Sequence, residues 1–422
     1  MPFWFCIGYS LLWLLALPFA LARLWWKSSG AAGNRAYRQH WRERLSLTLP
    51  AGPVDVWIHA VSVGEVRAVQ PVLRALRAQR RRILVTCTTP TGRDTLQALL
   101  SAQGASEVAI CYLPFDAPWL LRRFFVTFRP RLGLLVETEL WPGVCDAAFR
   151  AGTKLWLINA RLSQRSADGY ARGGALTRQM LRLLTGVAVQ SPAHRDRFLA
   201  IGARNVTVTG NIKFDLDIAD DISRQAKALA QQLTAGRPYW VAGSTREGEE
   251  ALLLQALAAH PLRQRAVAVI VPRHPERWQS AFELAQQLGY RVASRSGASI
   301  AGDTEVIVGD SMGEMLAYYA NAIAVVMGGT LAGTGGQNLI EPCAVGVPVV
   351  LGPSVFNFQQ AADEALATGA ARAVGTATDA MDAVLAWFDD PSARAAASAA
   401  AAQFVAAHRG ATARTIALLK PI

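Results

Sequence analysis

The sequence predicts an α/β protein built from two doubly wound, Rossmann-like parallel sheets that face a cleft, with one apolar helix ahead of them. Three features of its 422 residues carry that prediction. Short, continuously apolar runs recur along the chain, as in strands buried on both faces. Helix-like segments separate them, the alternation that gives a parallel sheet covered on both sides. A polar stretch near 211–237, expected to be helical to about Ala235, interrupts the alternation, which then resumes. Hydrophobic residues make up 52% and charged residues 18%, so two large cores can be buried.

The first element is a membrane anchor. Residues 3–22 carry no charged side chain. A helix of that length covers about 30 Å, one hydrocarbon core. Trp4, Trp25 and Trp26 flank it like an interfacial belt. Arg23, Lys27, Arg35, Arg38, Arg42 and Arg44 follow it. Basic residues on that side place the rest of the chain in the cytoplasm, at the inner membrane, behind a single-pass anchor. Ala20-Leu21-Ala22 resembles a cleavage site, but no Lys or Arg precedes the apolar run, and a signal peptide needs them there. The basic segment as far as Arg44 is expected to lie against anionic headgroups. The net charge of +12 asks for an anionic partner: a membrane, a phosphorylated substrate or nucleic acid. No nucleic-acid recognition motif is present, and the basic cluster hugs the anchor. The five cysteines stand singly with no C-x-x-C pair, which reads as reduced structural thiols rather than a zinc site or a disulfide framework.

Strands are expected next at 54–60, 83–87, 107–113, 132–136, 154–158, 187–190 and 206–210, with helices such as 66–79 and 117–128 between them. Ligands bind outside the carboxyl ends of such strands. The polar motifs fall there: HAVSVGE, TCTTPTGRD, ETELWP and NARLS. Glu65 opens a helix in Ser62-Val63-Gly64-Glu65. That spacing suits a capping box, and it equally suits a base for a sugar hydroxyl; both readings stay open. Glu137 and Glu139 flank Thr138, and strand alternation would point them the same way if the strand continues that far. Two carboxylates at a strand end are costly to desolvate, which favours a role. Arg161 and Lys213 are candidate cations for substrate or developing charge, against the competing reading of ordinary surface charges. Asp215-Leu216-Asp217 matches D-x-D, a metal–nucleotide signature, but it falls at the linker and is common by chance.

In the second half, strands are expected at 239–243, 266–272, 305–310, 324–327 and 347–351. Each of the first four leads into a polar or glycine-rich turn. Ser244-x-x-Glu247 offers another capping box. Pro272-Arg273-His274-Pro275-Glu276-Arg277 offers a guanidinium fork that matches phosphate oxygens. Asp310-Ser311-Met312-Gly313-Glu314 opens a helix. The loop of Gly328, Gly329, Gly333, Gly335 and Gly336 precedes a helix expected over 338–345. Glycines let the backbone approach a ligand, and the helix start offers N–H groups to phosphate. Glu341 in its first turn can reach ribose hydroxyls. An alanine-rich helical region ends the chain. The expected division is 1–27 anchor, 28–212 first Rossmann-like domain, 213–237 linker and 238–422 second Rossmann-like domain.

Two such halves describe a GT-B glycosyltransferase, and the motifs together resemble one family. His59-Ala60-x-Ser62-x-Gly64-Glu65, Glu137-Thr138-Glu139-Leu140-Trp141-Pro142, Asn159-Ala160-Arg161-Leu162-Ser163, Gly210-Asn211-Ile212-Lys213-Phe214-Asp215, Pro272–Arg277 and Gly309–Glu314 occur in the order of the 3-deoxy-D-manno-octulosonic acid (Kdo) transferases. The resemblance implies inverting transfer of Kdo from CMP-Kdo to a lipid A precursor, with no cofactor and no metal. It makes 28–212 the acceptor-binding domain and 238–422 the nucleotide-sugar-binding domain. By that likeness Glu65 is the proton acceptor, and Glu137 and Lys213 stabilise the transition state. Pro272, Arg273, Met312, Gly313, Glu314, Asn338, Leu339, Ile340 and Glu341 would hold the cytidylate. The sequence departs from the family at Gln337, where a histidine is usual; at Leu339, where proline is frequent; and at Ser354, again in place of histidine. Two alternatives remain. One is another GT-B nucleotide-sugar transferase or an epimerase, which uridine nucleotides would reveal. The other is a non-catalytic, membrane-tethered nucleotide-sugar-binding protein, which would bind donor without turnover.

Overall fold

A computed structural model describes residues 3–28, 36–216, 220–234, 236–297 and 300–419. The chain forms two compact units, Met1–Asp215 with Arg409–Ile422, and Leu216–His408.

The first unit begins with the helix Phe3–Lys27. Its segment Cys6–Lys27 is long and apolar enough to cross a membrane, and Leu11, Leu12, Leu14, Leu15 and Phe19 project from it exposed. Arg38 stacks over the Trp25 ring at its base, 4.7 Å from the centroid. Arg35 lies outside the described residues. Seven parallel strands follow: β1 Val56–His59, β2 Ile83–Cys87, β3 Ala109–Tyr112, β4 Leu132–Val136, β5 Lys154–Ala160, β6 Gly186–Val189 and β7 Val206–Val208. Their order is β3-β2-β1-β4-β5-β6-β7. Alternate side chains feed the cores on the two faces. Trp57 meets Phe124 and Phe125 edge-on at 5.4 and 5.5 Å, whereas Val56 and Ile58 pack with Val66, Val72 and Leu73. The order reverses between β1 and β4, so the crevice where such folds bind ligands opens beside the ends of those two strands.

The second unit contains β8 Tyr239–Thr245, β9 Val267–Pro272, β10 Val292–Ser294, β11 Val306–Val308, β12 Val325–Met327, β13 Val349–Leu351 and β14 Ala371–Ala373. All are parallel, in the order β10-β11-β9-β8-β12-β13-β14. Its reversal falls between β8 and β12, at Thr245 and the glycine-rich loop.

Several sequence expectations need correction. The helix expected over 66–79 is two helices, Val63–Ala68 and Gln70–Ala78, because Pro71 at the start of the second has no N–H to continue the first. The edge strands β10 and β14 are three residues long and only partly buried, so no apolar run announces them. The polar helix expected in the linker 213–237 runs Asp220–Thr234, but it packs on Met315–Tyr319, so this segment is part of the second unit rather than a linker. The chain end does not stay in the second unit. The Asp215 carboxylate accepts from the N–H groups of Gly410 (2.7 Å) and Thr412 (2.5 Å), and Arg414 Nε donates to the Thr209 carbonyl at 2.8 Å. Asp215 is therefore a structural clasp; Asp217, its D-x-D partner, lies outside the described residues.

Arg44 also departs from expectation. It is buried, stacks 3.9 Å over the Tyr112 ring and donates to the Thr88 carbonyl at 2.7 Å. Beside it the Arg93 guanidinium pairs with Glu43 at 2.5 Å, and the Tyr112 N–H donates to the same carboxylate at 2.8 Å. The basic segment after the anchor is thus keyed into the first unit, with Arg38 and Arg42 left exposed. Replacing Arg93 by Ala strands the buried Glu43 carboxylate and is expected to cost about 3–5 kcal/mol, read as a lowered Tm.

Candidate functional site

In the first unit the site is built on the ends of β1, β4 and β5. Ser62 caps the helix Val63–Ala68, and its Oγ accepts from the Glu65 N–H at 3.4 Å. Glu65 Oε2 in turn accepts from the Val61 and Ser62 N–H groups. The capping box is therefore real, and it uses one oxygen of the carboxylate. Among the described residues none donates a hydrogen bond to Oε1. Burial raises the Glu65 pKa to about 7, and the charge of Glu137 adds to the rise, while the two backbone bonds oppose it. A carboxylate poised near neutrality with one oxygen uncommitted is suited to taking a proton.

Glu137 does not continue β4. The strand ends at Val136, and Glu137 has φ +64°. Strand alternation therefore does not set its direction, and the two carboxylates separate in role. Glu137 is 6% exposed. Lys213 Nζ lies 2.6 Å from its Oε1, and Arg161 Nε lies 2.9 Å from its Oε2. Burial alone would raise its pKa, but the two cations outweigh it and hold the group below the usual carboxylate range. Glu139 instead accepts from the Trp141 indole N–H at 2.7 Å, and burial pushes its pKa up.

Lys213 sits in a single turn, Ile212–Phe214, pinned by two asparagines. Asn211 Oδ1 accepts from the Lys213 N–H at 3.0 Å, and Asn159 Oδ1 accepts from the Ile212 N–H at 3.0 Å. Asn159 itself has φ +50°, inside an irregular stretch of β5. The loop that follows Glu139 is fixed from below. Asp116 accepts from the Gly143 and Val144 N–H groups at 2.9 and 2.7 Å, at the start of the helix Pro142–Arg150.

In the second unit Arg273, Met312–Glu314 and Asn338–Glu341 follow β9, β11 and β12, three strands at the middle of one parallel sheet, so they share its carboxyl edge. Arg273 N–H donates to the Thr245 carbonyl at 3.0 Å, closing the end of Pro272 against β8. Met312 is exposed, and Gly313 has φ +86°. Glu314 accepts from Ser311 Oγ at 2.5 Å and from Arg295 at 3.2 Å. Asn338 donates from Nδ2 to Glu341 at 3.1 Å. The helix is short, Ile340–Ala344, and the Leu339 and Ile340 side chains are buried, so backbone is what those two can offer a ligand.

One expectation fails here. Ser244 caps nothing: it has φ +58°, the helix starts at Glu249, and Glu247 is exposed. Three N–H groups of the glycine-rich loop are taken by the protein itself. Glu249, 1% exposed, accepts from those of Gly329 (2.6 Å), Leu331 (2.9 Å) and Ala332 (3.2 Å). Arg246 was not singled out by sequence either; its guanidinium lies 2.8 Å from His274 Nε2. With Arg273 it gives the sheet edge a basic character; burial lowers the His274 pKa, and these cations lower it further.

Comparison with known proteins bears on both units. Residues 39–216 match the family described as 3-deoxy-D-manno-octulosonic-acid transferase (kdotransferase). A 3-deoxy-D-manno-octulosonic acid transferase of Bordetella pertussis is 40% identical over 374 residues, covering 86% of each chain. That of Haemophilus influenzae is 33% identical over 398 residues, 91% of this chain and 92% of its own. Among solved structures, the UDP-GlcNAc 2-epimerase of Neisseria meningitidis bound to UDP-GlcNAc superposes with a TM-score of 0.60 over 87% of this chain and all of its own, at 15% identity. That likeness establishes a fold of the GT-B type.

Proposed function

The chain belongs to the Kdo transferase family of glycosyltransferases, and on that premise we propose that it moves Kdo from CMP-Kdo to a hydroxyl of a lipid A precursor, lipid IVA, with inversion. The observation that carries the chemistry is the Glu65 carboxylate, raised to about 7 with Oε1 uncommitted. The acceptor hydroxyl oxygen forms a bond to the anomeric carbon of Kdo. The bond from that carbon to the phosphate oxygen breaks, and CMP leaves with the electron pair. The hydroxyl proton passes to Glu65.

The Lys213–Glu137–Arg161 cluster supports the second part of the reading. Glu137 is ionised at neutral pH and fixes the ammonium of Lys213 where negative charge develops. In the second unit Arg273 serves the phosphate, and the 312–314 and 338–341 turns serve the nucleoside. The helix Phe3–Lys27 is the anchor, spanning the inner membrane with both units on the cytoplasmic side, and the basic residues at its base face anionic lipid.

The test is a transfer assay with purified full-length protein, CMP-Kdo and tetraacylated lipid A precursor, read by mass spectrometry. A mass gain of one or more Kdo units is expected. Absence of product from folded protein, with uridine rather than cytidine nucleotides protecting the second unit, would move the assignment to another nucleotide sugar.

A further inference from the structure

We propose that Glu249 is a positioning residue for the donor: its carboxylate, buried under the glycine-rich loop, stands where an anion would otherwise bind and holds the loop in the form that accepts the nucleotide. This rests on the reading that the second unit binds a cytidylate donor.

The geometry is specific. Glu249 opens the helix Glu249–Ala258, and both its oxygens are fully used. Oε2 accepts from the Arg246 N–H (2.8 Å) and the Gly329 N–H (2.6 Å), and Oε1 accepts from the N–H groups of Leu331 (2.9 Å) and Ala332 (3.2 Å). A ring of backbone donors converging on one anion is the arrangement that loops of this kind use for phosphate. Here the protein supplies the anion. A second negative group in the same nest would meet a buried carboxylate, so the donor phosphate must find its charge in side chains. The adjacent carboxylate, Glu250, has a parallel task, accepting from Thr245 Oγ1 and Arg277 Nη2 at 2.8 Å each.

The first half of the loop has further ties at its carbonyls, where Thr330 Oγ1 donates to Met327 at 2.6 Å and the Ser354 N–H to Thr330 at 3.0 Å, but its Gly329, Leu331 and Ala332 N–H groups are held by Glu249. Gly328 approaches the end of β8 so closely that a Cβ there would lie 2.2 Å from the Ser244 carbonyl oxygen, and Gly329 has φ +77°. Beyond Ala332 the loop is tied to the next loop and back to its own start, Gly335 N–H donating to Ser354 Oγ at 3.0 Å and Gly336 N–H to the Gly329 carbonyl at 2.9 Å. Glu249 thus fixes the first half of the loop, and the second half leads directly into Asn338 and Glu341. Charge-assisted bonds to backbone N–H groups are roughly twice as strong as neutral ones, and a glutamine in this position must turn an NH₂ group towards donors.

The experiment compares the full-length protein with Glu249→Gln, by amide hydrogen exchange and by steady-state kinetics with CMP-Kdo as varied substrate. Protection of the Gly329, Leu331 and Ala332 amides is expected to fall while that of β8 and β9 is kept. KM for CMP-Kdo is expected to rise about tenfold or more, the equivalent of about 1.4 kcal/mol, with kcat changed by less than about threefold. An unchanged KM overturns the proposal. So does loss of protection throughout β8 and β9, which would make Glu249 a support of the whole unit rather than of the loop. If the parent protein neither binds nor turns over CMP-Kdo, the donor assignment fails instead. Selective loss of loop protection then still upholds the positioning role, and its absence overturns it.

Discussion

Replacing Glu65 by Gln is expected to lower turnover by about 10²–10⁴-fold while leaving CMP-Kdo affinity close to that of the parent. The amide keeps an oxygen to accept from the Val61 and Ser62 N–H groups, so the helix cap survives. What it cannot do is take a proton through the other position. The parent's kcat/KM is expected to rise with pH through about 7, as Glu65 ionises, and this limb should vanish in the variant. Stability moves the other way. An unfolded glutamate ionises near 4.5 and the folded Glu65 near 7, so between those values the folded state holds the extra proton. Parent stability therefore falls as pH rises across that window, by up to about 3 kcal/mol if only this group is counted. The glutamine carries no such penalty. Denaturant melts at pH 5 and pH 8 should show the variant gaining relative to the parent at the higher pH. A variant with parental turnover would end the assignment of Glu65 as base.

That residue also shows how far sequence carries. The alternation of apolar runs places both sheets, and the polar motifs end the strands they were expected to end. Ser62 and Glu65 were one motif with two readings, and the structure satisfies both, because a carboxylate has two oxygens and the cap needs one. Glu137 was visible as a carboxylate but not as a backbone with positive φ, since nothing in ETELWP forces the strand to stop before it. Lys213 read either as a cation for developing charge or as an ordinary surface charge; only the fold brings it from 76 positions away to the Glu137 carboxylate. Glu249 was hidden within a motif where a cap was expected two residues earlier. The return of Arg409–Ile422 to the first unit had no local signal, because its clasp is Asp215, nearly two hundred residues away. For Lys213, Glu249 and the returning chain end the missing information is a pairing between distant positions, which periodicity and local propensity do not contain.

Replacing Lys213 by Met is expected to cost both activity and stability, and the two losses can be separated. Glu137 would remain buried with only Arg161, itself 44% exposed, to balance it. Removing one partner of a buried pair costs about 3–5 kcal/mol. The parent's Glu137 has a depressed pKa, so its stabilisation is full above 4.5 and is lost only as pH falls through its lower folded value. In the variant, burial acts with less opposition and the folded pKa rises, so protonation relieves the strain on acidification. The gap in stability between parent and variant should be widest near neutrality and narrow towards pH 4. Glu137→Gln combined with Lys213→Met removes both charges and should recover much of the stability, by the usual non-additivity of a contacting pair. It should not recover turnover, because the ammonium opposite the developing charge is gone; a loss of about 10²–10³-fold is expected, as for removal of one such donor elsewhere. Glu137→Gln alone offers a further check. Taking away a negative neighbour favours ionised Glu65, so whatever activity remains should show its acid limb displaced to lower pH. A double variant that regains both stability and turnover would show that Lys213 serves the fold alone.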